Sequence, residues 1–497
     1  MTHEEKVILV LCPIWGVKYP SIGLGYLSEY LRSKRIDTEI LDFNIEIYNQ
    51  AAVKQKRYWD LKTNFVWEEK DFLKKYLEEC FEKIISLESN IIAFSVMASN
   101  AEFTSRLIKK IKKEHSEKII ITGGLQDTKH YTKAVDYHIE GEGEETLYRL
   151  IKVLDHNKNI EDEKGLIFDN KKKTVRLRKK EYLDINSLPC PTYKGFNLES
   201  YESNTLGILA SKGCINRCAF CNDWPVWGSY QYRKAENIFE EIKFHYENNK
   251  VDDFEFFDLL INGNLRELEK FSDYIIESDM KVHWRGNAII RKDMDKNLLK
   301  KMRSAGCTHL VFGAESGSDK IIKKMGKKFT SEDTKKVIKN THKSGIEVVL
   351  NLMVGFPGET EKDFKKTLKF VKDNKEYIDV IAGISTCFSI QNSLLHEKPE
   401  RYGIDITMDN SIYRWKDKEG NDYKERMRRV RKLNKLLKSL RIPVCEVKAV
   451  EESPQPVKGY ESKNKNLIRK FFQSLTNNGI LHTLKNIIAY FIDMITK

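Results

Sequence analysis

Three cysteines stand within eight positions, in the run Cys214-Ile-Asn-Arg-Cys218-Ala-Phe-Cys221. Nine cysteines in 497 residues are too few for a disulfide scaffold. A cluster of thiols in such a chain points to metal or redox chemistry instead. Three thiolates can ligate three irons of a cubane [4Fe–4S] cluster and leave the fourth iron open to a small chelating ligand. Two blander readings compete: three ordinary buried cysteines, or part of a zinc site. Zinc calls for a fourth ligand and paired C-x2-C units. His245 and His283 stand alone, without matching spacing. The cluster reading therefore leads, with Cys214, Cys218 and Cys221 as iron ligands and catalytic centre.

The array follows a predicted strand, Leu206–Ser211, which opens a series of alternating strands and helices. Further strands are expected at Asp253–Asp258, Lys281–Arg285, His309–Phe312, Glu347–Val354 and Val380–Cys387. Helical periods lie between them. Such units suit a partial (β/α)6 barrel of the TIM type, whose sites gather at the C-terminal ends of the strands. Upstream, Val7–Leu11 is an unbroken apolar run, as expected of a parallel strand buried on both faces. Thr38–Leu41, Ile91–Ser95 and Lys118–Thr122 repeat the pattern. The repetition predicts an α/β, doubly wound, Rossmann-like domain. The expected organisation is that domain over residues 1–155, a linker over 156–200, the barrel over 201–405 and a basic helical extension over 406–497.

With these elements around it, the array resembles the signature of radical S-adenosylmethionine (SAM) enzymes. Phe220 before the third cysteine and Lys212-Gly213 before the first are part of that likeness. The similarity runs over about Leu188–Ile404. Phe256-Phe-Asp258 is similar to the second-strand motif that faces the SAM amino group. Gly313-Ala-Glu315-Ser-Gly317 is similar to the fourth-strand motif near the ribose, and Val354-Gly-Phe-Pro-Gly-Glu359 to the fifth-strand motif around adenine. The resemblance implies that Phe220, Asp258, Glu315, Gly355, Gly358 and Glu359 line bound SAM.

The first 150 or so residues resemble the cobalamin-binding domain attached to many radical SAM enzymes. The matching pieces are Pro20-Ser-Ile-Gly-Leu-Gly25, Ser95-Val-Met97, Gly123–Gly124 and Val135–Glu144. This likeness implies that Ser95, Gly123 and Gly124 line the nucleotide tail of cobalamin. Asp136-Tyr-His138-Ile-Glu-Gly141 matches the D-x-H-x-x-G pattern by which some cobalamin proteins place His under cobalt. It lies near the last strand of the domain rather than after the first. His138 is therefore expected to be a strand residue. Cys12-Pro-Ile-Trp15, after the first strand, offers no His either.

The implied activity is cleavage of SAM to a 5′-deoxyadenosyl radical, coupled to cobalamin-dependent methylation of an unactivated carbon. A cobalamin-dependent rearrangement or cyclisation is the alternative. A non-catalytic cobalamin or iron–sulfur sensor is the alternative of another class. Methylthiotransferases share the barrel but carry a second cluster on three N-terminal cysteines. Here only Cys12 and Cys80 precede the linker.

The net charge of +13 is concentrated at the C-terminal end, where residues 411–497 hold about 20 Lys or Arg against about 9 Asp or Glu. The run Arg426–Lys432 reads as a solvated face or as a holder for an anionic substrate. Ile480, Leu484, Ile487, Ile488, Phe491 and Ile495 share one helical face, which would suit a membrane interface or a docked helix. No stacking motif accompanies the charge, which argues against nucleic acid. No run of about 18 apolar residues occurs, and no secretory signal is visible. The expected setting is a cytoplasmic enzyme, with peripheral membrane contact through the last helix. Its expected partners are a small-molecule or lipid- or sugar-linked substrate and an electron donor such as flavodoxin or ferredoxin.

Overall fold

A computed structural model describes residues 6–61, 72–124, 134–155, 160–163, 165–178, 182–224, 229–389, 392–406 and 415–448. The apolar face expected over residues 480–495 lies outside them. Among the described residues no helix is long and apolar enough to cross a membrane. The chain divides into two compact units, one of residues 1–207 with 243–251, the other of residues 208–242 with 252–497.

The first unit is built on strands β1 (Lys6–Leu11), β2 (Asp37–Asp42), β3 (Ile91–Ser95), β4 (Ile119–Gly123), β5 (Tyr137–Ile139), β6 (Leu166–Asp169) and β7 (Thr174–Leu177). Their order is β2-β1-β3-β4-β5-β7-β6, with all pairings parallel except β6 against β7. Successive side chains of a strand leave on opposite faces, and both faces here are apolar. Ile8, Val10, Ile92 and Phe94 pack with the helices Phe43–Gln50, Phe72–Ile85 and Ala101–Glu114. Val7, Leu9, Ile91 and Ala93 pack with Ile22–Ser33 and Gly143–Asp155. This is the doubly wound layer structure that the apolar runs imply. The expected linker over 156–200 differs in the structure. Its β6–β7 hairpin extends this sheet, because Val175 pairs with Ile139 and is fully buried.

The strand β8 (Thr205–Ile208) spans the division at 207, and the second unit carries β9 (Ser211–Lys212), β10 (Gln231–Tyr232), β11 (Asp253–Phe256), β12 (His283–Ala288), β13 (Cys307–Glu315), β14 (Glu347–Val354), β15 (Val380–Thr386), β16 (Ile404–Ile406), β17 (Trp415–Asp417) and β18 (Val444–Lys448). The main sheet runs β8-β11-β12-β13-β14-β15-β18. Parallel pairing joins β11 through β15 and then β18. It is a partial barrel with one strand more than expected. The boundary at 405 does not hold as a structural break, since β18 pairs with β15 and the helix Tyr423–Ser439 leads into it.

The barrel floor carries a polar row. Glu255, Arg285, His309 and Glu347 are in register on neighbouring strands. Arg285 ion-pairs with Asp253 at 2.7 Å and with Glu255 at 3.2 Å. Glu347 is buried, and its Oε2 has no hydrogen-bond partner. Burial, with a smaller push from Asp379, raises its carboxyl to about 8. A raised acid binds a proton in the folded chain that the unfolded chain has released, so stability falls as pH rises from about 4.5 to about 8. Glu347→Gln removes that loss. The variant is expected to exceed the parent by on the order of a few kcal/mol at pH 8, with the gap closing toward pH 5. Denaturant melts at the two pH values check this, and an equal gap at both would refute it.

Candidate functional site

The three cysteines lie on the loop between β9 and β10. Gly213 turns the chain into this loop with φ +75°. Cys218 is buried, and Cys214 and Cys221 are half-buried. The loop is held by backbone: Ala219 N donates to Met325 O at 2.9 Å, and Leu395 N donates to Ala219 O at 3.0 Å. Ala219 and Phe220 belong to an apolar cluster with Met325, Met353, Phe356, Leu395 and Trp415. Asn216 N donates to Cys214 Sγ at 3.4 Å. Burial raises all three thiols, Cys221 to about 11. The Lys327 ammonium opposes that rise at Cys214 and Cys218. Among the described residues, no three His, Cys, Asp or Glu side chains converge as one metal ion would require. Thiolates that bind separate corners of a cubane need no such convergence.

Lys327 is the residue that sequence reasoning missed. Its Nζ donates to Gly313 O at 2.8 Å and lies 3.2 Å from Glu315 Oε1. It also sits 5.7 Å from the Phe220 ring centroid. Nothing local marks it among 86 Lys and Arg residues. Glu315, named from its motif, ends β13 with φ +61°. That conformation costs a non-glycine residue about 1–3 kcal/mol and gathers at functional sites. A Cβ on Gly313 would lie 2.8 Å from Glu315 Oε1, so the glycine leaves the room this pair occupies.

Asp258 follows β11 and is 1% exposed. Its Oδ2 accepts from Ala210 N at 3.1 Å, while Oδ1 has no hydrogen-bond partner. Asn287 Nδ2 donates to its backbone carbonyl at 3.0 Å. Burial raises the Asp258 carboxyl to about 7. A carboxylate with one oxygen unsatisfied fits a cationic ligand group that would supply the missing donor. Gly355, Gly358 and Glu359 lie on the turn after β14. Glu359 is fully buried, and its Oε2 accepts from Gly355 N and from Arg429 Nη1, both at 2.7 Å. The structure thus brings Phe220 and Glu315 to Lys327 beside the cysteine loop, and it encloses Glu359.

In the first unit the strand order reverses at β1 and β3, and ligands of doubly wound sheets bind outside the strand ends at such a switch point. Ser95 ends β3 half-buried, and Gly123 ends β4. Gly124 has φ +137°, and a Cβ there would lie 2.0 Å from Val96 O, so only glycine fits. The side-chain directions of Gly16 and Gly23 meet nothing within 4 Å, and Ser99 Oγ is buried without a partner. An open shelf with backbone close to it fits a large flat cofactor. His138 lies in β5, buried, with Nδ1 2.9 Å from Thr122 Oγ1. It is a sheet residue and gives no free imidazole to cobalt.

The model of the Radical SAM superfamily matches residues 208–371, and that of the B12 binding domain matches residues 15–151. An uncharacterized methyltransferase of Pyrococcus horikoshii is 24% identical over 74% of this chain and 78% of its own length. An anaerobic magnesium-protoporphyrin IX monomethyl ester cyclase of Cereibacter sphaeroides is 24% identical over 66% of this chain. The chain spans only 55% of that cyclase. The fold is similar to that of the radical SAM methyltransferase TsrM of Kitasatospora setae, solved with cobalamin and a [4Fe–4S] cluster bound. The TM-score is 0.63, with 15% identity and 82% of each chain covered.

Proposed function

Because the chain belongs to the radical SAM superfamily and carries a B12 binding domain, we propose that it is a cobalamin-dependent radical SAM methyltransferase. The observation that carries this reading is the thiol loop of Cys214, Cys218 and Cys221 beside the buried Lys327–Glu315 pair, in one chain with the doubly wound B12-type unit. When bound, the cluster supplies the electron that cleaves SAM to its radical, and cobalamin carries a methyl group.

The chain's own residues bind and orient. Cys214, Cys218 and Cys221 hold the cluster as thiolates, and their raised pKa values mean that protons leave on assembly. Asp258 offers its unsatisfied Oδ1 to the SAM ammonium. Lys327 offers positive charge to the SAM carboxylate. Glu315 orients Lys327 and stands near the ribose. The turn Gly355–Gly358 lies along adenine. In the first unit, Ser95, Gly123 and Gly124 approach the cobalamin nucleotide. An electron donor of flavodoxin or ferredoxin type completes the reading. The substrate is a small molecule, free or linked to a lipid or sugar. A cytoplasmic setting, with membrane contact through residues 480–495, rests on the sequence pattern.

The test is direct. Reconstituted chain given hydroxocobalamin, reductant and methyl-labelled SAM is expected to retain cobalamin and release 5′-deoxyadenosine. His138→Ala is expected to leave the cobalamin spectrum unchanged, because the imidazole is spent on Thr122. Altered cobalt coordination in that variant would overturn the reading of His138 as a sheet residue only. Release of 5′-deoxyadenosine with no label entering any product would favour rearrangement or cyclisation. No SAM cleavage at all would sink the enzyme reading.

A further inference from the structure

The turn Gly355-Phe-Pro-Gly-Glu359 takes most of its side-chain hydrogen bonds from the segment Trp415–Arg429, with Lys320 Nζ also donating to Gly358 O at 3.0 Å and Lys324 Nζ to Pro357 O at 3.3 Å. Gly358 N donates to Asp417 Oδ2 at 2.7 Å. Asn421 Nδ2 donates to Phe356 O at 3.3 Å and to Glu359 O at 3.1 Å. Arg429 Nη1 donates to Glu359 O at 3.0 Å and to Glu359 Oε2 at 2.7 Å. Gly355 has φ +74°, and a Cβ there would fall 2.2 Å from Arg426 Cγ. Arg426 is itself fixed, with its guanidinium 3.8 Å from the Trp415 ring centroid and Nη1 donating to Trp415 O and Asn421 O. Trp415 and Phe356 share one apolar cluster with Ala219 and Phe220 of the cysteine loop.

Two roles are open to Glu359: to face a ligand, or to close the turn. Its carboxylate is fully buried: Oε2 takes two short hydrogen bonds, while Oε1 has no hydrogen-bond partner. Oε2 is thus committed to the turn. We propose that Arg429 is a positioning residue for SAM: through Glu359 it fixes the Gly355–Glu359 turn, so that the segment after residue 405 is part of the SAM site's support. The inference rests on the SAM-dependent reading above.

A buried pair broken from one side leaves an uncompensated charge, whereas removing both partners' charges is often tolerated. The experiment uses anaerobically reconstituted full-length chain. It measures iron content, melting temperature, SAM dissociation constant and the SAM-induced change in the electron paramagnetic resonance of the reduced cluster. Arg429→Met is expected to weaken SAM binding by roughly tenfold or more, as small misplacements of a positioning turn do, with iron content unchanged. Arg429→Lys is expected to recover part of the loss. The double variant Glu359→Gln/Arg429→Met is expected to recover melting temperature but not SAM affinity.

Parental SAM affinity in Arg429→Met, or recovery of both quantities together in the double variant, would reduce the pair to a stability element and overturn the proposal. If Arg429→Met does not fold, Asp417→Ala decides, because it removes the acceptor of Gly358 N and frees Asn421, which Asp417 also holds and which itself donates to Phe356 O and Glu359 O. Weaker SAM binding there supports the proposal and unchanged binding overturns it. Failure of the parent chain to bind SAM would count against the functional reading instead.

Discussion

Alanine at Cys214, Cys218 and Cys221 together is expected to remove all cluster absorbance and all SAM cleavage. The parent, reconstituted anaerobically, is expected to hold about four irons per chain. The loss is complete rather than graded because the ligands act as a unit, and such groups are non-additive. Each single replacement is therefore expected to cost nearly as much as all three. The loop itself should survive, since Ala219 N–Met325 O and Leu395 N–Ala219 O are backbone bonds that no cysteine side chain makes. Circular dichroism and melting temperature of the triple variant should stay close to those of the cluster-free parent. Iron analysis and 5′-deoxyadenosine assay read the outcome, and residual cleavage in the triple variant would show that the cluster sits elsewhere.

Lys327→Met carries the next largest effect. The side chain is 7% exposed, bonded to Gly313 O and paired with Glu315. Methionine leaves Glu315 buried without its cation, in a backbone conformation with φ +61° that the surroundings must hold. Breaking a buried pair from one side costs about 3–5 kcal/mol. If part of that loss falls on the bound state, kcat/KM for SAM cleavage is expected to drop by roughly 10²–10³-fold. A second signature follows from the cysteines. The ammonium holds down the pKa of Cys214 and Cys218. Without it those thiols rise further, and assembly of the cluster, which needs thiolates, should require higher pH. Cluster loading against pH is thus expected to shift upward in Lys327→Met and to stay near the parental profile in Lys327→Arg. Unchanged SAM kinetics and an unchanged loading profile would remove Lys327 from the site.

The readable part of the site was local. Cluster ligands must be thiols, and three of them on one short loop leave a fixed spacing in the chain. Strands buried on both faces leave unbroken apolar runs, so Val7–Leu11 could be found without partners. His138 could be placed by its order along the chain alone, because a motif meant to follow the first strand stood beside the fifth.

Other features left no such trace. Arg426–Lys432 reads as a solvated basic run, yet Arg426 and Arg429 are buried, and the partner of Arg429 is Glu359, which is 70 positions away. Lys327 looks like any surface lysine until the turn after Lys324 brings it to Glu315. The segment Val444–Lys448 falls in what the sequence predicts as a basic helical extension, but it pairs with β15 and extends the barrel sheet.

The sequence by itself determined the three-thiol loop, the two α/β units and their order, because each is written in residue type and short-range period. Only the tertiary structure decided which charges are buried, which turn Arg429 braces and where the barrel sheet ends. Those outcomes depend on pairs of groups far apart in the chain, and desolvation sets their energies only once both partners have been brought together.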